Sequence, residues 1–134
     1  MGYTTIGQAL FDILDALVGS ALKIAYNYEP KTLEKYPSAT VVALSHSNVY
    51  NDTAANRREM VFTIRIYYRT EETDYENAMR ASVDTIIESI EADPTLGGAC
   101  DFAEPTESRW LFQEREVPVR VCEMTINCIF RKNR

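Results

Sequence analysis

The sequence predicts an α+β domain: an antiparallel or mixed β-sheet of four to five strands, with two helices packed on one face, in the order α-β-β-β-α-β-β. Three observations lead there. Two segments repeat apolar residues at the 3.6-residue helical period, and several others alternate apolar and polar residues at the period of a half-buried strand. The strands do not alternate singly with helices, so a doubly wound parallel sheet is excluded. The third observation is length: 134 residues is the size of one domain, with enough buried surface to fold without a metal or disulfide staple.

The first helix is read over residues 5–18, where Ile6, Leu10, Ile13, Leu14, Leu17 and Val18 form one stripe and Gln8, Asp12 and Asp15 face outward. Thr5 and Gln8 have capping-box spacing, and Gly19 is placed to stop the helix. A strand follows, with Leu22, Ile24, Tyr26 and Tyr28 on one face and Lys23, Asn27 and Glu29 on the other. After the polar link from Glu29-Pro30 to Tyr36-Pro37, the β-branched run Ala39 to Ser45 predicts a second strand. Residues 45–58 show neither period and are read as a long polar loop. In the third strand Met60, Phe62, Ile64, Ile66 and Tyr68 share one face, and Val61, Thr63, Arg65, Tyr67 and Arg69 the other.

Thr73 and Glu76 again have capping-box spacing, opening a helix to about Ala92. Tyr75, Met79, Ser82, Val83, Ile86 and Ile90 make its inner stripe, while Arg80, Asp84, Glu88 and Glu91 face water. Asp93-Pro94 and Gly97-Gly98 end it. An acidic loop leads to a short strand, Trp110 to Gln113, and a long last strand runs from Val119 to Phe130. Its apolar face carries Cys122, Met124, Ile126, Cys128 and Phe130.

Composition excludes more functions than it selects. With 20 acidic and 14 basic side chains the net charge is −6, which argues against a basic groove along a phosphate backbone. Eleven of the acids fall within 71–107, where Arg80 is the one basic residue, while the long strands and the basic end, 131–134, carry arginine. The longest apolar-rich stretch, Ile6 to Val18, contains two aspartates and is shorter than the roughly 20 residues a membrane span needs. No Lys or Arg precedes Lys23, so a secretory signal is not expected, and the protein is expected to be made in the cytoplasm. Cys100, Cys122 and Cys128 form no C-x-x-C pair. Six residues apart in one strand, Cys122 and Cys128 are separated by about 20 Å, so buried free thiols are expected.

Catalytic signatures are missing. His46 is the single histidine, no G-x-S-x-G elbow occurs, and no glycine-rich phosphate loop follows a strand. The acidic segment has no EF-hand spacing, and neither metal nor cofactor is expected. Two helices cover one sheet face, which leaves Arg65, Tyr67, Arg69 and Glu123 among the residues of the other. With Arg131 and Lys132 these are the candidate subunit interface; the alternative is a solvated sheet surface. The polar loop, with Val49, Tyr50, Asn51, Asn56, Arg57 and Arg58, is the candidate interaction element. Two other readings stay open: a small ligand-binding domain or enzyme with Arg109, Trp110 and Glu114 lining a pocket, and an adaptor that binds peptides at a sheet edge.

Several of these features occur together in one known family. The chain has an amphipathic N-terminal helix, then a strand and a polar link to Tyr36-Pro37-Ser38-Ala39-Thr40-Val41. A long polar loop precedes Asn56-Arg57 and the run Phe62-Thr63-Ile64-Arg65-Ile66-Tyr67. A helix closing in Asp93-Pro94-Thr95-Leu96-Gly97-Gly98 and a final long strand complete the pattern. Over nearly its whole length the chain resembles the phage tail terminator, or tail-to-head joining, proteins; related neck and tail-completion proteins share much of this layout. The resemblance implies a non-enzymatic virion protein at the head-tail junction. It would form a homo-oligomeric ring, typically a hexamer, that caps the tail tube protein, ends tail polymerisation and joins the head completion or connector protein. DNA would pass through the ring without specific binding, and no membrane would be involved. The acidic segment 71–107 and the basic residues Arg65, Arg69, Arg131 and Lys132 would then offer the opposite patches that a cyclic interface requires.

Overall fold

The computed structural model describes residues 2–50 and 55–133. Its elements follow the expected order: α1 (Tyr3–Asp15), β1 (Ile24–Tyr26), β2 (Ser38–Tyr50), β3 (Ala55–Arg69), α2 (Tyr75–Ala92), β4 (Phe102–Glu114) and β5 (Pro118–Asn133). The five strands form one mixed sheet in the order β1-β2-β3-β5-β4. β1 pairs with β2 in parallel, and the other three pairings are antiparallel.

Both helices cover the same sheet face, as expected. α1 contributes Ile6, Leu10 and Leu14, and α2 contributes Met79, Val83, Ile86 and Ile90. Against them lie Met60, Phe62, Ile64, Ile66 and Tyr68 of β3 and Cys122, Met124, Ile126, Cys128 and Phe130 of β5, all buried. The strict alternation of the two central strands therefore reports their real environment. Gly7 sits where a Cβ would lie 3.4 Å from the Phe62 ring, so α1 packs close to the sheet. Tyr68 reaches through this core, bonding the Ser82 hydroxyl of α2 and donating to the Ala21 carbonyl at 3.2 Å.

Several local expectations are corrected. Neither capping box forms. Gly2 is the N-cap of α1, and Gln8 donates instead to Asp12 at 2.9 Å. Asp74 caps α2 with a left-handed backbone (φ 62°), and Glu76 turns to Arg120 and Arg80. α1 also ends at Asp15 rather than Val18, which bridges to Leu22 as the chain reverses through Gly19 (φ 98°). The strand expected from Leu22 to Glu29 shrinks to three residues, because its alternating side chains serve different surroundings: Leu22 enters the helix-side core, Tyr26 a separate cluster, and Tyr28 solvent.

The two largest differences concern loops that are strands. Residues 45–50 and 55–58 are not loop; they extend β2 and β3 as a hairpin, in register from Ser45 opposite Val61 to Tyr50 opposite Asn56. Likewise 102–109 is strand, part of a 13-residue β4. Both segments lack alternation for one reason. Ser45–Asn48 and Arg57 of the hairpin, and most of 102–109, are exposed on both faces, so neither face selects apolar residues there.

Ile66 is fully buried mid-strand, with α1, α2, β2 and β5 all contributing to its core. Ile66→Ala is expected to cost about 2–5 kcal/mol in urea unfolding, while Leu44→Ala at an exposed bulge stays within about 0.5 kcal/mol. Equal effects would contradict this placement of the core.

Candidate interaction surfaces

The sheet face opposite the helices is graded from one end to the other. At the end near Tyr67, Val119 and Val121, residues 27–37 fold back over the sheet and place Leu33 and Tyr36 on it. Together with Tyr26 these five residues make a second, smaller apolar cluster. Tyr67 is only 1% exposed. The lower half of this face is thus a core, neither solvated nor open.

One step along the strands lies an ionic belt. Register sets Thr40 beside Arg65, Arg65 beside Glu123 and Glu123 beside Arg109, across four strands. Arg65 donates to Glu123 at 2.8 Å and to Glu29 at 3.3 Å, and Arg109 donates to the other Glu123 oxygen at 2.7 Å. Glu29, from the covering segment, also accepts from the Thr40 hydroxyl at 2.8 Å, the Tyr67 hydroxyl at 2.6 Å and Arg115 at 3.3 Å. Arg115 lies over the Tyr67 ring at 5.2 Å and donates to the carbonyls of Pro30 and Lys31. Each partner is a charge or a hydroxyl with its own complement, which is how a partly buried charge is tolerated. The Arg65 hydrogen bond lowers the Glu123 pKa; burial opposes that shift and the bond from Arg109 adds to it. The Tyr67 hydroxyl is pushed well up by burial and by its bond to the Glu29 carboxylate.

Beyond the belt the face opens. Its rows carry Val42, Thr63, Thr125 and Glu107, then Ser45, Val61, Asn127 and Glu104, then Ser47, Glu59, Ile129 and Phe102. Phe102 and the bulged Leu44 are exposed large apolar side chains here. Past His46, whose ring is hydrogen-bonded to Tyr3 of α1 at 3.0 Å, β2, β3 and β5 continue as a three-stranded arm beyond the start of α1. Four residues at the strand rise carry Ser47–Tyr50 roughly 13 Å further.

The arm collects most of the residues singled out in the sequence. Val49 is opposite Arg57, and Tyr50 is opposite Asn56; Arg57 is in turn beside Arg131, and Asn56 beside Lys132. Asn51 lies outside the described residues. Arg58 donates to Asn48 at 3.0 Å and rests over the Phe130 ring, and Arg57 pairs with Glu59 at 2.8 Å. The other candidates are spent inside the chain: Arg65 and Glu123 in the belt, Tyr67 beneath Arg115, and Arg69 over the Tyr36 ring at 5.7 Å. Sequence reading missed Glu29 and Arg115. Glu29 reads as the outward residue of a strand and Arg115 falls between two expected strands, and nothing local marks either as the centre of a network.

The readings that required a pocket or a free edge fare differently. Arg109 faces the ionic belt, while Trp110, its neighbour in β4, packs against the helix-side core; Glu114 is exposed at the strand end. The three do not converge. An open cleft of about 680 Å³ lies elsewhere, lined by Lys23, Glu34, Tyr36, Arg69, Glu72 and Glu116 among others. The outer strand β4 carries Pro105 and a register shift between Pro105 and Glu107, and β2 has one at Leu44; both features blunt an edge against strand addition. Among the described residues no group of three or more His, Cys, Asp or Glu is placed to hold a metal, and no helix is long and apolar enough to cross a membrane.

No protein-family model matches the chain, and no curated protein matches it. Among solved structures, a chain from the virion of a native gene transfer agent (GTA) particle superimposes over 92% of this chain and 93% of its own, with a TM-score of 0.56 and 12% identity. The two share a fold. A second solved chain aligns over 96% of each, at a TM-score of 0.47 and 14% identity.

The lowered Glu123 pKa gives the belt a pH signature. A carboxylate with a depressed folded pKa contributes stability above its unfolded value, about 4.3, and loses it as pH falls through the folded value. Glu123→Gln is therefore expected to be about 1–2 kcal/mol less stable near neutral pH, with the gap closing below about pH 4. Urea titrations at several pH values check this, and a gap independent of pH would contradict it.

Proposed function

We propose that this protein is a structural component of a phage-like virion: a ring of identical subunits, six by the resemblance, that caps the tail tube and joins it to the head connector. The observation that carries the reading is the likeness, over nearly the full length of both chains, to a chain of a gene transfer agent virion. Two features of the molecule support it. Its charge is segregated: Arg57, Arg58, Arg131 and Lys132 gather on the arm, while Asp84, Glu88 and Glu91 face outward from α2. A cyclic assembly joins two different patches of each subunit, so opposite charges at separated places suit it. The net charge of −6 also suits a passage through which DNA slides without sticking.

In this reading the arm of one subunit lies against the acidic face of α2 in the next. Arg65, Tyr67 and Glu123 are left out of the contact because their partners lie within their own chain. The protein acts by assembly, without catalysis, and resides in the finished virion at the head-tail junction.

Arg57→Glu combined with Arg58→Glu tests the arm. Arg57 pairs with Glu59 at the surface, while the half-buried Arg58 bonds Asn48 and covers the Phe130 ring, so folding stability is expected to fall by about 1–2 kcal/mol. Native mass spectrometry, on the chain alone and after mixing with tail tubes, should show a ring of the unaltered chain that weakens as salt rises. The double variant should remain monomeric and leave the tubes bare. Unchanged assembly by the double variant would overturn the proposed contact.

A further inference from the structure

Arg69 closes β3 at the end opposite the arm, roughly 40 Å from Arg57 by the strand rise. Its guanidinium lies over the Tyr36 ring at 5.7 Å. That contact leaves its hydrogen bonds unmade. Nε is shielded from water and has no partner, and among the described residues no oxygen accepts from either Nη. The two Nη atoms, unlike Nε, are reached by solvent. Arg65, Arg109 and Arg115 on the same side of the sheet each hold a carboxylate, at 2.8, 2.7 and 3.3 Å. Arg69 holds none. A half-buried guanidinium in that condition is a donor set waiting for an anion.

Arg69 lines the open cleft of about 680 Å³. Leu33, Val117 and the Tyr36 ring give the cleft an apolar lining, and the exposed Lys23 and Lys35 stand with Arg69 as its cations. Of its three carboxylates, Glu116 is already engaged: it accepts from the Leu33 N–H at 2.7 Å and the Tyr36 hydroxyl at 3.4 Å, and pairs with Arg115 at 3.6 Å. Glu34 and Glu72 are exposed. We propose that this cleft docks a peptide segment of a partner protein, whose carboxylate binds the Nη edge of Arg69 while an apolar side chain rests on Leu33 and Val117. The inference is independent of the virion reading.

Charge and shape select that occupant. The two Nη–H groups present a planar fork that matches a carboxylate, and a single negative charge meets three cations. A phosphate backbone would bring a row of charges against Glu34, Glu72 and Glu116 as well. A small molecule would keep much of its surface in water in so open a cleft, whereas a chain crossing it gains contacts on either side of the anchored group. The chain's own arm is excluded, because it lies at the far end of β3 and carries Arg57 and Arg58, the wrong sign for Arg69. The anchoring carboxylate can be a chain terminus or an acidic side chain; both offer the same two oxygens.

Calorimetric titration of the full chain with three acetylated, leucine-containing tripeptides tests this. One has a free terminal carboxylate, one is amidated and carries a glutamate side chain, and one is amidated with no acid. At least one acidic probe should bind with a dissociation constant of about 1 mM or below, about tenfold more tightly than the neutral probe, and more weakly as salt rises. Which acidic probe binds distinguishes a terminus from a side chain. Arg69→Gln should abolish that tenfold preference while shifting the melting temperature by no more than about 4 °C, since no ion pair within the chain is lost. A benzophenone on the bound probe should cross-link the unaltered chain at residues 33–36 or 116–117, a readout that needs no variant. Equal binding of the neutral probe, no binding by any probe, tighter binding of inorganic phosphate, or cross-links confined to other surfaces would each overturn the proposal.

Discussion

The Glu29 carboxylate carries the arrangement on which the opposite sheet face depends. Two helices are enough to bury one side of this sheet, and the other side would otherwise expose Tyr67, Val119 and Val121. Residues 27–37 cover them, but such a segment has little apolar surface of its own to hold it there: Leu33 and Tyr36 are its buried side chains in this cluster. Glu29 supplies the tie by accepting from β2 through Thr40, from β3 through Arg65 and Tyr67, and from Arg115 in the β4–β5 turn. Arg115 in turn holds the backbone carbonyls of the next two residues. A hub of this kind is all-or-none in character, because loss of one partner leaves others partly buried and unpaired.

That constraint decides which surfaces remain for other molecules. The Glu29 hub and the belt beside it turn the lower half of the second face inward. Basic groups that look available in the sequence, Arg65 above all, are consumed there. What is left is the upper half of the face, with Leu44 and Phe102, the three-stranded arm beyond α1, and the cleft beside Arg69. The arm keeps its register because three strands brace one another, a stiffer device for reaching a neighbour than the flexible loop its composition suggests. The acidic α2 surface lies on the other side of the sheet. Two separated, oppositely charged patches on one rigid domain are what a closed ring of like subunits uses, and the virion reading draws its physical plausibility from that placement.

The sequence was most legible where one face is buried and the other is not. The α2 stripe, from Tyr75 to Ile90, and the alternating faces of β3 and β5 could be read residue by residue, because every core-facing position except Ser82, which bonds Tyr68, is filled by an apolar side chain. Legibility failed where exposure is symmetric. β4 shows water on both faces for most of its course and carries Pro105, so its first half resembles a loop, and the hairpin end fails in the same way. The capping boxes failed through competition: Glu76 finds a full positive charge in Arg120 at 3.2 Å, a stronger partner than a backbone N–H. Glu29 and Arg115 were illegible because each joins residues far apart in the chain, and one sequence contains no record of that proximity.

Tail length is the property most directly set by a capping ring, since without a terminator the tube has no fixed end. Electron microscopy of tails assembled with and without this protein therefore measures the central claim. The account predicts tails of uniform length joined to heads when the protein is present, and tubes of uncontrolled length lacking heads when it is absent. Normal tube length and normal head attachment in its absence would contradict it.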